Sequence, residues 1–497
     1  MTTNKETESA LPRAIVNQAW IIVLGAIAPM LDSTMVNIAL NKLSSDFNES
    51  LSTVQWVVTG YLLAMVVAVP FTGWMNDKIG GKKVFLIAEV LFGLSSLVAA
   101  MSGNVTMLIS IRFVQGFSAG LITPLLTTLL VDVAGVGSMG RIMAIVGLPI
   151  ILGPIFGPVI GGVIVQYLSW RWIFFVNVPV VLIATILIWM KLPAIAPNNP
   201  TAKFDWPGVS LLAGGSAAIV YGIVKASSKA SFNNSTTLSY VGVGIALLVI
   251  YAIYAFFRKG QAVVPLFLFK RRNFTGSMIG LVLAGIVNNG PMLLLPLFFQ
   301  NLRGQSVAEA GLSLIPQGIG MLIARPIIGR FIDRIGARWV LIVGLLVTLI
   351  GTVPFMSFDQ HTNFWLLMGV LFVRGIGAGA IISPLMTDSF VGQDPKYSGQ
   401  ISIAGRITQN VGGAFGSALM ATVASAYLTS HTHELMTNHL TAVAHAYQLG
   451  FIWAVACTAV VIIPAFLLTN KLGHQSDKEV VPAPTTRHQQ LKSKGRL

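Results

Sequence analysis

Apolar runs of about 20 residues follow one another along almost the whole of this chain, each long enough to cross a hydrocarbon core of roughly 30 Å as a helix. Charged residues, Pro and Gly divide them into fourteen expected spans, near 18–40, 54–75, 84–101, 105–131, 142–166, 173–192, 207–225, 238–257, 275–300, 308–332, 339–357, 364–387, 399–428 and 446–470. In lipid every backbone N–H and C=O needs a partner within the protein, so only helices and closed barrels span a membrane. The runs are continuous, without the ten-residue alternation of barrel strands, so helices are expected. With 54% of residues hydrophobic and 10% charged, no stretch remains for a soluble catalytic domain. The expected fold is an all-α integral membrane protein with 14 transmembrane helices.

Lys and Arg fall in alternate loops, as the positive-inside rule requires when no span is missed. Lys78, Lys82, Lys83, Arg258, Lys259, Lys270, Arg271, Arg272, Arg330, Arg334 and Arg338 share one side; only Lys42, Arg171, Lys225, Lys229 and Arg303 lie on the other. The net charge of +15 is therefore topological. It places both termini in the cytoplasm of a multi-pass plasma (inner) membrane protein and makes anionic inner-leaflet lipids its expected partner. Scattered over short loops, this charge excludes a nucleic-acid-binding face. A single cysteine, Cys457, excludes an intrachain disulfide and a Cys-based zinc site.

The two halves repeat each other. GWMNDKIGGKK at Gly73–Lys83 returns as GRFIDRIGARW at Gly329–Trp339, with Gly, Asp and Gly at 73, 77, 80 against 329, 333, 336, an offset of 256. FVQGFSAG at Phe113–Gly120 returns as FVRGIGAG at Phe372–Gly379, and GPIFG at Gly153–Gly157 as GGAFG at Gly412–Gly416, both at 259. Ordered matches at nearly one offset mark a duplication. The expected organisation is a cytoplasmic N-terminus (1–17), a six-helix bundle (18–192), an inserted helix pair with a basic cytoplasmic linker (193–274), a second six-helix bundle (275–470) and a disordered cytoplasmic tail (471–497). The two bundles are pseudo-symmetric.

LDSTMVNIAL in the first span, GWMNDKIGGKK, RFVQGFSAG, GLPIILGPIFGPVIGG and WRWIFFVNVP together resemble the fourteen-helix drug:proton antiporters of the major facilitator superfamily, over about residues 15–470. The departure is Asn41, where the first motif commonly ends in Pro. The resemblance implies alternating access, no cofactor, the proton gradient as driving force, protons and small amphipathic substrates as partners, and a bacterial, monomeric protein that exports drugs or biocides. A metabolite importer or facilitator on the same fold is the alternative, since fold does not fix function. Phosphate-binding GxxxxGK[ST] and zinc-binding HExxH motifs are absent, so the chain is not expected to be an enzyme. His431, His433, His439 and His445 lie in the last outer loop with spacings that fit no standard metal set.

Residue chemistry points the same way. Asp32 lies inside an apolar span, where an ionised carboxylate is expensive and functional by default. Arg112 sits at a similar depth, so proton coupling is assigned to Asp32 and Arg112, with Glu89 as a candidate second proton site. One entering proton supplies about 2.3 kcal/mol per 100 mV and about 1.4 kcal/mol per pH unit, which suits neutral or monocationic cargo better than dications. Candidate cavity residues are Met35, Trp56, Tyr61, Gln115, Asn288, Asn289, Phe298, Arg374, Gln409 and Asn410. Gly147, Gly153, Pro154, Gly157, Pro158 and Gly161 define a kinked, closely packed antiporter helix. Gly73, Asp77, Gly80, Arg141 and Asp333 form the expected inner gate, with Asp77 and Arg141 as its latch. At the offset of 256, Asp32 falls opposite Asn288, which assigns the proton to the first half alone. Exchanging the pair, Asp32→Asn with Asn288→Asp, is therefore expected to abolish gradient-driven efflux; full coupled efflux by the swapped protein would refute the division.

Overall fold

A computed structural model describes residues 12–134, 153, 157, 160–193, 197, 199–201, 203–228, 231–258 and 262–470. All regular structure among the described residues is helical, and thirteen helices are long and apolar enough to cross a membrane. They include α1 (Arg13–Phe47), α2 (Trp56–Ile79), α3 (Gly81–Ala100), α4 (Val105–Ala134), α5 (Asn177–Lys191), α6 (Trp206–Ser228) and α7 (Ser235–Arg258). The second half adds α8 (Arg272–Leu297), α9 (Ile315–Ile335), α10 (Ala337–Thr352), α11 (Phe364–Phe390), α12 (Ser398–Ser430) and α13 (His439–Val460). Of the span expected near 142–166, only residues 153, 157 and 160–166 are described.

Boundaries differ from expectation where local chemistry intervenes. The first helix runs seven residues past 40, carried by a Lys42–Asp46 ion pair of 2.7 Å at i,i+4, and stops where Asn48 turns left-handed at φ 53°. A capping box at Ser306 and Glu309 starts a separate short helix, Val307–Ser313, ahead of α9. The last span is interrupted at Val461, before a turn at Ile462–Ala465 that contains Pro464.

The duplication is visible in backbone detail. Gly80 links α2 to α3 at φ 92°, and Gly336 links α9 to α10 at φ 85°, a region that a residue with a Cβ rarely enters. In the first half Gly116 of α4 lies against the backbone of α2, where an added Cβ would come within 2.2 Å of the Tyr61 carbonyl oxygen. In the second, Gly375 of α11 meets α9 in the same manner, 2.0 Å from the Gln317 carbonyl oxygen. Small residues thus set the same helix crossing twice.

The halves touch at the end of the bundle that carries the Lys/Arg-rich loops, here the basic end. There α12 packs against α2 and α4. A Cβ on Gly73 would meet Ile403 Cδ1 at 2.8 Å, Asn76 lies beside Gly399, and the Thr128 and Ser402 hydroxyls are 3.5 Å apart. From the inserted pair, α6 packs on α2 of one half and α12 of the other. Its contacts run from Phe204 against Phe71 and Trp74 at the basic end to Tyr221 against Trp56 at the far end. Along α12 this helix meets Ala418, through Ile219 and Ile223. The molecule is therefore closed at its basic end. In a Cys457→Ser background, the double variant Thr128→Cys/Ser402→Cys is expected to form an oxidative cross-link that arrests transport until reduced; transport that continues at full rate in cross-linked protein would contradict this closure.

Candidate functional site

Asp32 is fully buried on α1, and the structure brings Arg112 of α4 to it as a buried ion pair. Such a pair persists in low-dielectric surroundings only when its remaining donors and acceptors are also satisfied. Asn177 Nδ2 of α5 donates to Asp32 Oδ1 at 3.1 Å, and Gln115 Nε2 reaches the same oxygen at 3.4 Å. Arg112 donates from Nη1 to Gln115 Oε1 at 2.8 Å and from Nε to the Val57 carbonyl at 3.0 Å. Gln115 also donates to Ser96 Oγ of α3 at 2.6 Å. The guanidinium lies 4.1 Å from the Tyr61 ring centroid, and the Tyr61 hydroxyl is tied to the Pro29 carbonyl at 3.1 Å. Five helices thus converge on one carboxylate.

The described glycines of the antiporter helix lie against α1 on either side of that carboxylate. An added Cβ at Gly153 would approach the Met30 carbonyl oxygen at 3.0 Å, at Gly157 the Thr34 hydroxyl at 1.9 Å, and at Gly161 the Met35 carbonyl oxygen at 3.1 Å. Thr34 Oγ1 also donates to the Gly153 carbonyl at 3.0 Å. Gly147, Pro154 and Pro158 lie outside the described residues, as do Arg141 and the side chain of Asp333. Asp77, named as the latch partner of Arg141, accepts a bond at its backbone carbonyl from Asn199 N, 2.9 Å.

Glu89 stands apart from this cluster. It is fully buried on α3, and neither carboxyl oxygen has a hydrogen-bond partner among the described residues. Its neighbourhood is Phe85 and Gly25, where a Cβ would come within 2.8 Å of Oε1. Gly25 lies two helical turns, about 10 Å, from Asp32 along α1, so the two acids do not share a depth.

The expected cavity residues divide in two. Met35, Tyr61, Gln115, Phe298 and Arg374 are buried in packing, exposed by 1% or less. Of these, Tyr61 and Gln115 belong to the Asp32 cluster, Met35 packs under Gly161, Phe298 stacks edge-on with Phe299 and Phe355, and Arg374 donates to Gln317 at 2.8 Å. By contrast Trp56, Asn288, Gln409 and Asn410 are partly exposed and Asn289 is exposed. Ser96 and Asn177 belong to the cluster without having been singled out from sequence. Asn177 had a signal, as the one amide in the apolar string WRWIFFVNVP; Ser96 had none.

Residues 22–417 match the family model described as Major Facilitator Superfamily. The chain belongs to that superfamily. It is 29% identical over 495 residues to the Multidrug resistance protein B homolog of Mycobacterium tuberculosis (strain ATCC 25618 / H37Rv), covering 93% of this chain and 91% of the relative. Among solved structures it resembles the human organic anion transporter MFSD10 (TETRAN), with TM-score 0.61 and 16% identity over 92% of this chain and 99% of the other. The proton:xylose symporter XylE gives TM-score 0.59 and 16% identity over 90% and 96%. These two likenesses establish the shared fold.

A superfamily transporter makes and breaks no covalent bond at its site. In the buried pair, each charge is what makes the other tolerable. Arg112→Gln leaves Asp32 with no cation and is expected to lower unfolding stability in detergent by about 3–5 kcal/mol. Asp32→Asn/Arg112→Gln should recover most of that loss. Thermal or denaturant unfolding of the three proteins checks it, and equal stability of the single and double variants would exclude the pair as the reason.

Proposed function

We propose that this chain exports small amphipathic molecules across a bacterial plasma membrane in exchange for protons, with Asp32 as the proton-carrying group. The observation that carries the reading is the buried Asp32–Arg112 pair, flanked on α1 by the closely packed glycines of the antiporter helix. Protonation of Asp32 in place would strand Arg112 as a buried uncompensated cation, so proton uptake must be coupled to a rearrangement of α1 against α4. Ser96, Gln115 and Asn177 supply neutral partners for the groups left behind. That linkage between one proton and one conformational change is what exchange requires.

The direction of transport is argued from the relative named for multidrug resistance, because the symporter XylE has the same fold and fold does not fix direction. Placing the Lys/Arg-rich loops in the cytoplasm makes the basic end the inner one, so the contacts of α12 with α2 and α4 lie on the cytoplasmic side. Anionic lipid headgroups fit that face, and the proton gradient is the sole energy source. The protein is taken to act as a monomer.

In proteoliposomes carrying an imposed pH gradient, wild-type protein is expected to drive uphill movement of at least one small amphipathic dye from a set of neutral, monocationic and monoanionic fluorophores, and to stop when an uncoupler is added. Asp32→Asn, or Asp32→Asn/Arg112→Gln where the single variant is too destabilised to purify, should bind dye and lose uphill movement. Persistent uphill transport by Asp32→Asn would falsify the assignment of the proton to this residue.

A further inference from the structure

The face of α12 that seals against the first half changes character as it leaves the seal. Gly399, Ser402 and Ile403 touch α2 and α4. At 100° per residue, Arg406 points between Ser402 and Ile403, one turn toward the far end, and Gln409, Asn410 and Gly413 continue the same stripe. Arg406 therefore sits on the floor of the space between the halves, directly above the closed end. It is 9% exposed, and its Nη1 donates to Gln409 Oε1 at 3.2 Å, so the guanidinium runs away from the seal. Its Nε is buried with no partner among the described residues. Two turns further out, the exposed Asn289 of α8 lies over Gly413, where a Cβ would meet its Nδ2 at 2.3 Å.

Across the space the wall is apolar. On α4, Phe117 lies 11 residues from Thr128, nearly in line with it at 100° per residue, and Val114 is close to the same line. With Phe113 and with Leu63, Ala64 and Val67 of α2 these residues line a groove of about 400 Å³. The first half thus carries an apolar groove between α2 and α4, and the stripe of α12 beyond the seal is cationic and amide-rich.

A buried guanidinium facing only a neutral amide is an incomplete ion pair. Among the described residues no carboxylate accepts a hydrogen bond from Arg406. Asp32 is engaged with Arg112, and Asp132 lies one turn beyond the Thr128–Ser402 contact on the opposite side from Arg406, about 12 Å away along the helices. Between residues 12 and 470 the acidic side chains outside the described set are those of Asp333 and Glu434. Arg374 and Arg325 are also buried in this half and add to its positive potential.

From this geometry we infer that the cargo is an amphipath bearing a single anionic headgroup, such as an aromatic carboxylate, with Arg406 holding the anion and the Phe113–Phe117 wall holding the ring. Guanidinium binds carboxylate through two parallel N–H donors, and its unpartnered Nε supplies one of them. Gln409, Asn410 and Asn289 offer amide contacts to polar groups between the two ends. A monocation, compatible with the sequence alone, would have to enter next to an uncompensated buried cation. The inference rests on the export reading above for its physiological meaning, but the site is testable by binding alone. If exchange is one for one, a monoanion leaving as a proton enters moves two charges in the favourable sense, so membrane potential as well as pH gradient drives it.

The test uses three fluorophores with one aromatic body: dansylglycine (anion), dansylglycinamide (neutral) and dansyl-ethylenediamine (cation), titrated into purified protein in detergent. Wild-type protein is expected to bind dansylglycine about tenfold or more tighter than either analogue. Arg406→Gln should abolish that preference while binding dansylglycinamide as wild type does, which also reports that the variant is folded. Equal or tighter binding of the amide or the cation by wild type would overturn the inference, as would an intact anion preference in Arg406→Gln. The headgroup comparison on wild type stands even where the variant cannot be purified. An anion preference in protein that moves none of the three probes in proteoliposomes supports the anion site and counts against export.

Discussion

Helices in lipid gain no hydrophobic free energy from touching each other, since the tails they displace are as apolar as their own side chains. Their association depends on how closely the backbones can approach. In this protein that approach is made at glycine: Gly116 on the Tyr61 carbonyl, Gly375 on the Gln317 carbonyl, Gly412 on the Val282 carbonyl, and Gly153, Gly157 and Gly161 along α1. The rest follows from these crossings. With α4 held against α2 and α1 held against the antiporter helix, Asp32, Arg112, Gln115 and Asn177 are brought within hydrogen-bonding reach in the middle of an apolar bundle.

What is held there differs between the halves, although the helix crossings are the same. Offsets of 256 and 259 put Gln317 where the first half has Tyr61, and Arg374 where it has Gln115. The first half balances a buried cation with a buried anion and closes the network with neutral groups. The second holds Arg374 against a neutral amide and carries Arg406 on its inward stripe. Duplication supplied the scaffold twice, and divergence of a few polar residues left one half with a paired buried charge and the other with buried arginines held by neutral amides. Glu89, a buried acid with no partner among the described residues, is held in neither way.

The inserted pair bears on how the halves move. Because α6 lies along both α2 and α12, any separation of those helices at the basic end must also change their packing on α6. The aromatic contacts of Phe204 with Phe71 and Trp74 lie at that end, and that of Tyr221 with Trp56 at the other, so α6 is fastened to the first half at both ends of the membrane. Its packing on α12, through Ile219, Ile223 and Ala418, is as extensive as its packing on α2.

Sequence by itself determined the class of fold, because hydrocarbon thickness and the demand for satisfied backbone groups leave a chain of 20-residue apolar runs no other choice. It also determined the duplication, since the Gly-Asp-Gly loops and the FVxG strings keep their order and nearly one offset, and the left-handed backbone at Gly80 and Gly336 is the physical reason those glycines recur. Asp32 and Arg112 stood out because ionisable groups are rare at that depth. Only the tertiary structure decided which polar residues face the space between the halves and which fill the inside of a bundle. Tyr61 and Gln115, cavity candidates by sequence, are sealed around Arg112, whereas Arg406, which helical spacing puts on one polar face with Gln409, Asn410 and Gly413, stays on the stripe that continues from the seal. Helical periodicity fixes the angle between residues on one helix but not the direction of that helix toward its neighbours, and that direction is set by glycine contacts between segments distant in sequence.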